Sequence, residues 1–278
     1  MNLFDKNRTR EKFTFANINL LGRCNADCFF CLGKEVPGID GRNDTKVHFS
    51  KWSNFDRFVD ALKLHNIEKV YVTGQNTDSL LYVHLPEFVS YLQDDVGVGV
   101  GLRTNGFKAQ KKLDVVNSCK LECGYSIHTL KQDVQRSLMN RNFVPDWDYL
   151  LSHTERSRVA MVITQFNVHE FFDVVRFTKN YANVQHFQAR RVSSDFRQEE
   201  MLKHVQEYEK LHKFVESSHP LVREFYGAPI YDIDGVEVTF WRTVQTTVNS
   251  INYFTDGTLS DEYFVVEGYM KNRECNLT

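Results

Sequence analysis

The stretch Arg23-Cys24-Asn25-Ala26-Asp27-Cys28-Phe29-Phe30-Cys31 decides the fold class of this 278-residue chain. It places three of the six cysteines within eight residues, spaced C-x3-C-x2-C, directly after an apolar run that ends at Leu21. Thiolates are soft ligands that suit iron–sulfur clusters, and a cubane cluster is normally held by four of them. Because only three thiolates are clustered here, we expect an iron–sulfur site with one iron open to an exchangeable ligand.

This spacing, with an aromatic residue before the third cysteine, resembles the cluster loop of the radical S-adenosylmethionine (radical SAM) superfamily. The resemblance implies that Cys24, Cys28 and Cys31 ligate three irons of a [4Fe–4S] cluster. The fourth iron would chelate the methionyl group of S-adenosylmethionine (SAM), and Phe30 would pack beside the adenine. The resemblance also implies a reaction, the one-electron cleavage of SAM to methionine and a 5′-deoxyadenosyl radical that abstracts hydrogen from an unactivated carbon.

Other metal sites fit the sequence less well. A structural zinc site needs four ligands, usually from two C-x2-4-C pairs, and no second pair follows the cysteine loop at a suitable distance. A ferredoxin-type site needs a fourth cysteine and its own C-x2-C-x2-C run. A zinc-stapled interaction domain and a non-enzymatic iron–sulfur redox or sensor protein therefore remain as alternatives to the enzyme.

The composition is that of an ordinary globular protein, with 42% hydrophobic and 25% charged residues. A net charge of −2 gives no reason to expect nucleic acid or an anionic membrane as a partner. No apolar run is long enough to span a membrane, and no secretory signal is recognisable. Because a thiolate cluster also needs a reducing environment, we expect a cytoplasmic protein.

Apolar runs alternate with helical patterns along the first two-thirds of the chain. Strands are expected at 13–21, 70–74, 96–102, 123–128, 158–167 and 184–192. A helix is expected to open near Trp52, with Ser50 or Ser53 as its cap. The pattern, together with the resemblance, predicts an α/β fold, a partial (β/α)6 TIM-type barrel, with its chemistry at the carboxyl ends of the strands.

The second strand ends at the position where the superfamily usually carries Gly-Gly-Glu, which holds the SAM amino group. Here the residues include Thr73, Gly74, Gln75, Asn76 and Asp78, so the usual acidic residue is missing from its place. Gln75 or Asn76 could supply a carbonyl acceptor instead, or Asp78 could reach back. A plain turn with an Asx cap is the alternative.

Polar residues at three later strand ends match the family's remaining SAM contacts. Ser126 and His128 lie where relatives contact the SAM ribose, and Asn167 lies where they place an amide near the adenine or the carboxylate. An arginine of the sixth strand could pair with the SAM carboxylate. Alternation along a strand puts only one of Arg190 and Arg191 inward, and the sequence leaves open which one.

Two further motifs need an interpretation. The run Val96-Gly97-Val98-Gly99-Val100-Gly101-Leu102 precedes a strand end rather than a helix, so it is not a dinucleotide-binding fingerprint. Cys119, Cys123 and Cys275 could be imagined as a second cluster. Cys119 and Cys123 belong at the amino-terminal side of their strand, where residues serve stability, so we interpret them as structural.

After residue 219 the pattern changes to paired strands around Asp-Gly turns, at 230–241 and 252–260. We therefore divide the chain into a barrel domain, residues 1–219, and a short C-terminal β extension or cap, residues 220–278. The extension is expected to cover the open side or the mouth of the barrel.

The sequence favours a small-molecule substrate, such as a sugar, nucleoside or amino-acid derivative. Rearrangement, cyclisation, elimination, oxidation and epimerisation are all open as outcomes, and an epimerase would need a second hydrogen donor such as Cys275 or Tyr253. A radical SAM peptide-modifying enzyme is an alternative, although six cysteines are few for the auxiliary-cluster domains of those relatives. The resemblance also implies an external one-electron donor, such as flavodoxin or ferredoxin.

Overall fold

A computed structural model of the chain describes residues 13–193, 200–242, 249–261 and Tyr269. The strands are β1 Phe15–Leu21, β2 Lys69–Gln75, β3 Gly99–Thr104, β4 Cys123–Ser126, β5 Ser157–Ile163, β6 Val184–Arg191, β7 Leu221–Phe225, β8 Ala228–Ile233, β9 Val236–Trp241, β10 Ser250–Phe254 and β11 Leu259–Ser260. The α-helices are α1 Phe55–Leu64, α2 Leu85–Ser90, α3 Leu113–Ser118, α4 Gln132–Met139, α5 Trp147–His153, α6 Phe171–Lys179 and α7 Glu200–Ser218.

These strands form a single sheet in the order β11-β10-β1-β2-β3-β4-β5-β6-β9-β8-β7. From β1 to β6, each strand is parallel to the next, and at least one α-helix connects each consecutive pair. This is the curved, parallel arrangement of a partial (β/α)6 barrel, as the sequence predicts.

The C-terminal β extension is also present, and its strands continue the barrel sheet at both edges. β10 lies parallel to β1 and forms a hairpin with β11. β9 lies parallel to β6 and forms a hairpin with β8, which in turn pairs with β7. Both Asp-Gly hairpins form where the sequence places them. The domain division at residue 219 and the covering of the barrel's open side stay predictions.

Alternation along the strands separates a helix-covered face from the barrel lumen. On β3, Val100 and Leu102 are fully buried in the main hydrophobic core, whereas Gly101 faces the lumen. A Cβ atom on Gly101 would lie 2.6 Å from ring atoms of Tyr71 on β2. The valine–glycine run therefore supplies core contacts on one face and leaves space in the lumen for a large neighbouring side chain.

Helix α1 begins at Phe55, three residues after the expected start near Trp52. Its N-cap is Asn54, which has a left-handed φ of 56°, so the expectation of a Ser50 or Ser53 cap was wrong. Ser50 instead accompanies a separate 3-10 turn, Phe49–Lys51, in which its backbone N–H donates to His48 Nδ1. None of the helices described here is both long and apolar enough to cross a bilayer.

Candidate functional site

The three loop cysteines lie together at the carboxyl ends of the barrel strands. Cys24, Cys28 and Cys31 all line one cavity with a volume of about 240 Å³. The other predicted site residues that border it are Phe30, Thr73, Gly74, Asp78, Ser126, His128, Arg190 and Arg191. The structure thus brings most of the predicted residues into one place, at the end of the barrel where chemistry is expected.

The cysteine loop is held against helix α4. The backbone N–H of Asp27 donates to the carbonyl of Met139 at 3.0 Å, and the side chain of Asp27 pairs with Lys34. Ala26 packs with Leu138 and Met139 in a small apolar cluster that also contacts Cys24 and Cys28. These contacts fix the loop on a regular element, which a site of defined geometry requires.

Two glycines allow close backbone packing beside the cysteines. A Cβ atom on Gly33 would lie 2.0 Å from the backbone N of Asn76, and one on Gly74 would lie 2.2 Å from the carbonyl O of Thr77. Neither contact can be relieved by moving a flexible side chain, since the clashing atoms are backbone. The cysteine loop and the turn after β2 are therefore in direct backbone contact, which only glycine permits.

Asp78 lies in that turn and ties it to the end of β3. Its carboxylate accepts hydrogen bonds from the backbone N–H of Leu80 at 2.9 Å and of Asn105 at 2.6 Å, and from the hydroxyl of Thr104 at 2.9 and 3.0 Å. Burial raises the pKa of Asp78, although these hydrogen bonds favour its ionised form. Asp78 thus borders the cavity with both oxygens already engaged.

Asn105 contacts the cysteine loop directly, and the sequence analysis missed it. Its Nδ2 donates to Oδ1 of Asn25 at 2.8 Å and lies 3.5 Å from Sγ of Cys24. Arg103 and Thr104 also border the cavity and were missed. The available signal was the position of these residues at the carboxyl end of a predicted parallel strand.

His128 is buried at the cavity wall as a neutral imidazole. Its Nδ1 accepts a hydrogen bond from the backbone N–H of Val162 at 3.1 Å, which leaves the ring proton on Nε2. Burial, with a smaller contribution from the charge of Arg190, lowers the pKa of His128 to about 3. The ring of Phe30 meets that of His128 edge-on, with centroids 5.1 Å apart.

Three predicted residues do not border the cavity. Gln75 donates through Nε2 to Oδ1 of Asn19 at 3.0 Å, and Asn76 occupies a left-handed turn position with φ 53°. Asn167 is fully buried, and its Oδ1 accepts from the backbone N–H of Thr164 at 2.8 Å. The predicted SAM contacts of Gln75, Asn76 and Asn167 stay predictions, and the geometry gives them no support.

The two arginines of β6 point in different directions. Arg190 is in register with Val162 of β5, whose side chain borders the cavity. Arg191 pairs with Glu209 of helix α7, with 3.7 Å between Nη1 and Oε1. Since neighbouring strand residues face opposite sides of a sheet, Arg190 faces the lumen. Arg191 also borders the cavity, and its side chain extends toward helix α7. Which of the two arginines contacts SAM stays a prediction.

Cys119 and Cys123 lie away from the cavity. Both are 1% exposed, Cys123 begins β4 at its amino end, and Sγ of Cys119 donates to the carbonyl of Val115 at 3.3 Å. Burial raises the pKa of both thiols. Cys275 lies outside the described residues. The position of Cys119 and Cys123 agrees with a structural role.

The donor set fits a three-cysteine iron–sulfur cluster. Burial, followed by the nearby Asp78 carboxylate, raises the pKa of Cys24 to about 12, and burial also raises the pKa of Cys28. The thiols of Cys24 and Cys28 are therefore neutral without metal, and metal binding would release their protons. Among the described residues of the cavity, Asp78 and His128 already use their acceptor atoms in hydrogen bonds. Three sulfur ligands thus remain, as an open iron site requires.

Comparison with known proteins finds similarity over part of the sequence. No protein-family model matches the chain. A probable GTP 3′,8-cyclase of Methanococcus maripaludis is 22% identical over 139 residues, 44% of this chain and 44% of the cyclase. A GTP 3′,8-cyclase of Staphylococcus carnosus is 23% identical over 171 residues, 59% of this chain and 50% of the cyclase. The chain thus matches about half the length of these relatives or less.

Among solved structures, the fold is similar to that of SuiB from Streptococcus suis. The structure of SuiB bound to S-adenosylmethionine has a TM-score of 0.62 at 12% identity, and covers 89% of this chain and 60% of SuiB. SuiB bound to its precursor peptide SuiA also has a TM-score of 0.62 at 12% identity, and covers 92% of this chain and 60% of SuiB. Fold and cavity define a partial α/β barrel with three thiols at its catalytic end. The comparisons confirm the predicted resemblance to the radical SAM superfamily.

Proposed function

We propose that the chain holds a [4Fe–4S] cluster on Cys24, Cys28 and Cys31 and cleaves SAM there, to start a radical reaction on a small molecule. The observation that carries this proposal is the convergence of the three thiols with polar strand ends in one cavity. When bound, the cluster would supply one electron to SAM, giving methionine and a 5′-deoxyadenosyl radical that abstracts hydrogen from the substrate.

The residues around the thiols have the chemistry to orient SAM. Arg190 faces the lumen, and a guanidinium there suits bidentate pairing with the methionyl carboxylate. Gly74 borders the cavity at the turn after β2, where the methionyl amino group would bind. Phe30 offers an apolar face for the adenine, beside the neutral ring of His128.

His128 and Ser126 stand at the end of β4, where the ribose hydroxyls would lie. With Nδ1 engaged by Val162, His128 presents a donor at Nε2 and stays uncharged at neutral pH. A neutral donor can hold a hydroxyl without adding a positive charge beside SAM, whose sulfur is already cationic. Ser126 offers a hydroxyl that can donate or accept.

The same chemistry requires a supply of single electrons and protection from oxidation. We assign the electrons to an external donor such as flavodoxin or ferredoxin, and the protein to the cytoplasm, where thiols stay reduced. We propose a sugar, nucleoside or amino-acid derivative as the substrate, because polar strand ends converge in this cavity as they do in small-molecule sites.

The test compares a loop cysteine with a buried cysteine elsewhere in the barrel. Wild type, Cys28→Ala and Cys119→Ala are reconstituted anaerobically with iron and sulfide, and iron content and 5′-deoxyadenosine are measured after adding SAM and a strong reductant. We expect wild type and Cys119→Ala to bind iron and produce 5′-deoxyadenosine, and Cys28→Ala to do neither.

Two results would contradict the proposal. Iron-loaded wild type that gives no 5′-deoxyadenosine, even with sugars, nucleosides and amino acids present, would favour a redox or sensor protein. Wild type that purifies colourless with zinc would show a zinc-stapled domain. Turnover only with a peptide would retain SAM cleavage and replace the small-molecule substrate.

A further inference from the structure

A second group of charged residues lies in the barrel lumen, away from the cysteines. Arg103 on β3 and Arg158 on β5 both cross over Gly124 of β4. A Cβ atom on Gly124 would lie 3.0 Å from Nη1 of Arg103 and 3.1 Å from Nε of Arg158. Glycine at this position is therefore what allows the two guanidinium groups to lie side by side.

Among the described residues, the two guanidinium groups have fewer paired carboxylates than their two positive charges would require for neutrality. Within the described residues, the only carboxylate in an ion pair with either arginine is Glu122, whose Oε1 lies 3.4 Å from Nη1 of Arg103. Nε of Arg158 is buried and has no hydrogen-bond partner among those residues. Burial, then the like charge of Arg103, lowers the pKa of Arg158. A buried guanidinium N–H without a partner is costly, so Arg158 beside Arg103 suits an anionic ligand.

The surrounding residues position the pair. The guanidinium carbon of Arg103 lies 3.9 Å from the centre of the Tyr71 ring, and the Tyr71 hydroxyl donates to Oε2 of Glu122 at 3.4 Å. The Tyr71 ring stacks on one side of the Arg103 guanidinium, and Glu122 pairs with it from another. These contacts fix the orientation of the guanidinium, so its remaining N–H groups can donate to a ligand. Gly101 provides the space that the Tyr71 ring fills.

This pair lies within reach of the cavity that contains the cysteines. Arg103 borders that cavity, and on β5 the cavity-lining residues Ala160 and Val162 follow Arg158 at two-residue steps. Four residues of strand span about 13 Å, so Arg158 lies deeper in the lumen than Val162. A molecule anchored at the arginines could therefore extend upward to the cysteine end.

We propose that Arg103 and Arg158 bind an oxyanion of the substrate, a phosphate or a carboxylate, in the barrel lumen below the cavity that Arg103 borders. This inference rests on the proposed function, because it assigns a substrate class to the same site. Guanidinium groups recognise both oxyanions through paired hydrogen bonds, and phosphate offers the higher charge. The anion would fix one end of the substrate and leave a carbon near the SAM site.

The first experiment measures anion binding to the anaerobically reconstituted protein by thermal shift and calorimetry. Inorganic phosphate and acetate are titrated at constant ionic strength, with chloride as the reference, in the absence and presence of SAM. We expect saturable binding on the order of millimolar, because an isolated oxyanion lacks the rest of the substrate. Stronger binding of phosphate than of acetate would indicate a phosphorylated substrate. Stronger binding of acetate would indicate a substrate with a carboxylate. Competition by SAM would overturn the proposal, since the site would then hold the SAM carboxylate.

Variants separate a ligand site from a purely structural ion network. Arg158→Gln should weaken phosphate binding about ten-fold, whereas the exposed control Arg176→Gln should leave it unchanged. Glu122→Gln removes the competing carboxylate and should tighten phosphate binding roughly three-fold or more. A structural network alone predicts no such tightening. Equal binding in wild type and Arg158→Gln, or no tightening in Glu122→Gln, would overturn the proposal.

The wild-type protein also separates this proposal from the proposed function. Phosphate binding needs no reductant, and SAM cleavage is measured without phosphate. A protein that forms 5′-deoxyadenosine but binds no oxyanion would overturn only the substrate assignment. A protein that binds phosphate but forms no 5′-deoxyadenosine would overturn only the SAM chemistry.

Discussion

Nδ2 of Asn105 lies 3.5 Å from Sγ of Cys24, a residue 81 positions earlier in the chain. The same nitrogen donates to Oδ1 of Asn25 at 2.8 Å, and the backbone N–H of Asn105 donates to Asp78. One residue at the end of β3 therefore links the cysteine loop to the turn after β2. The position of the first cysteine depends on this link as well as on its own loop.

Asn105→Ala should loosen the cysteine loop without unfolding the barrel. The variant loses the side-chain hydrogen bond to Asn25, and keeps the backbone hydrogen bond to Asp78. We expect about 1–2 kcal/mol less stability and a lower iron content after reconstitution. Chemical denaturation and iron analysis measure the two effects. Unchanged iron content would show that the loop holds its cysteines alone.

Gly33→Ala should be far more harmful than the alanine substitution of a nearby glycine. A Cβ on Gly33 would lie 2.0 Å from a backbone atom of Asn76, whereas one on Gly41 would meet no atom within 4 Å. We expect Gly33→Ala to lose roughly 2 kcal/mol or more, and Gly41→Ala to be nearly neutral. Thermal unfolding of both variants checks this. Similar melting temperatures would contradict the backbone contact.

The cysteine site was predictable because its chemistry is local. Three thiols within eight residues restrict the metal and its ligand number, whatever the tertiary structure. The parallel strands were also predictable, from alternation and from the order of apolar runs. The hairpins followed from their Asp-Gly turns. Each of these features depends on residues close together in the chain.

The remaining features depend on register between distant segments. Which of Arg190 and Arg191 faces inward is decided by pairing with β5, and no local pattern contains that pairing. Arg103 and Arg158 meet over Gly124 only after three strands align side by side. Gln75 was expected at the cavity, and is instead held by Asn19 on the neighbouring strand. Its expected contact with SAM stays a prediction.

Arg190→Gln should weaken SAM binding, and Arg191→Gln should affect it much less. Arg190 faces the lumen, whereas Arg191 pairs with Glu209 on helix α7. Arg190→Gln loses a paired contact between the guanidinium and the SAM carboxylate, which should reduce the affinity for SAM about ten-fold or more. Arg191→Gln should reduce it less than about three-fold. Equilibrium binding of SAM to the reconstituted proteins measures both. A larger effect at Arg191 would reverse the assignment.

Tyr253→Phe should cost stability and leave SAM chemistry intact. From the sequence, Tyr253 was a candidate hydrogen donor to the substrate of an epimerase. The structure places its ring against Phe58, with centroids 5.2 Å apart, and its hydroxyl donates to the carbonyl of Ser53 at 2.9 Å. It therefore packs in the helix layer. We expect about 1 kcal/mol of destabilisation and unchanged 5′-deoxyadenosine formation. Loss of turnover at unchanged stability would restore the donor role.

His186 gives the lumen a dependence on pH that can be measured as stability. Its Nε2 lies 2.9 Å from the hydroxyl of Thr239. Burial, then the charge of Arg158, lowers the pKa of His186 to about 4. The positive charge of Arg223 acts in the same direction, and the carboxylates of Glu237 and Glu122 oppose it. At neutral pH the folded protein therefore holds this imidazole uncharged.

The sign of the effect follows from the two pKa values. In the unfolded chain, the pKa of histidine is about 6.5, so the unfolded chain binds a proton at His186 as the pH falls below that value. The folded chain binds this proton only near pH 4, where the lowered pKa of His186 lies. The stabilising contribution is thus present above pH 6.5 and is lost as the pH falls toward 4. Between pH 7 and pH 5, wild type should lose about 1–2 kcal/mol more of its free energy of unfolding than His186→Gln. Denaturant unfolding at both pH values measures the difference, and parallel losses in the two proteins would show that His186 is not the group responsible.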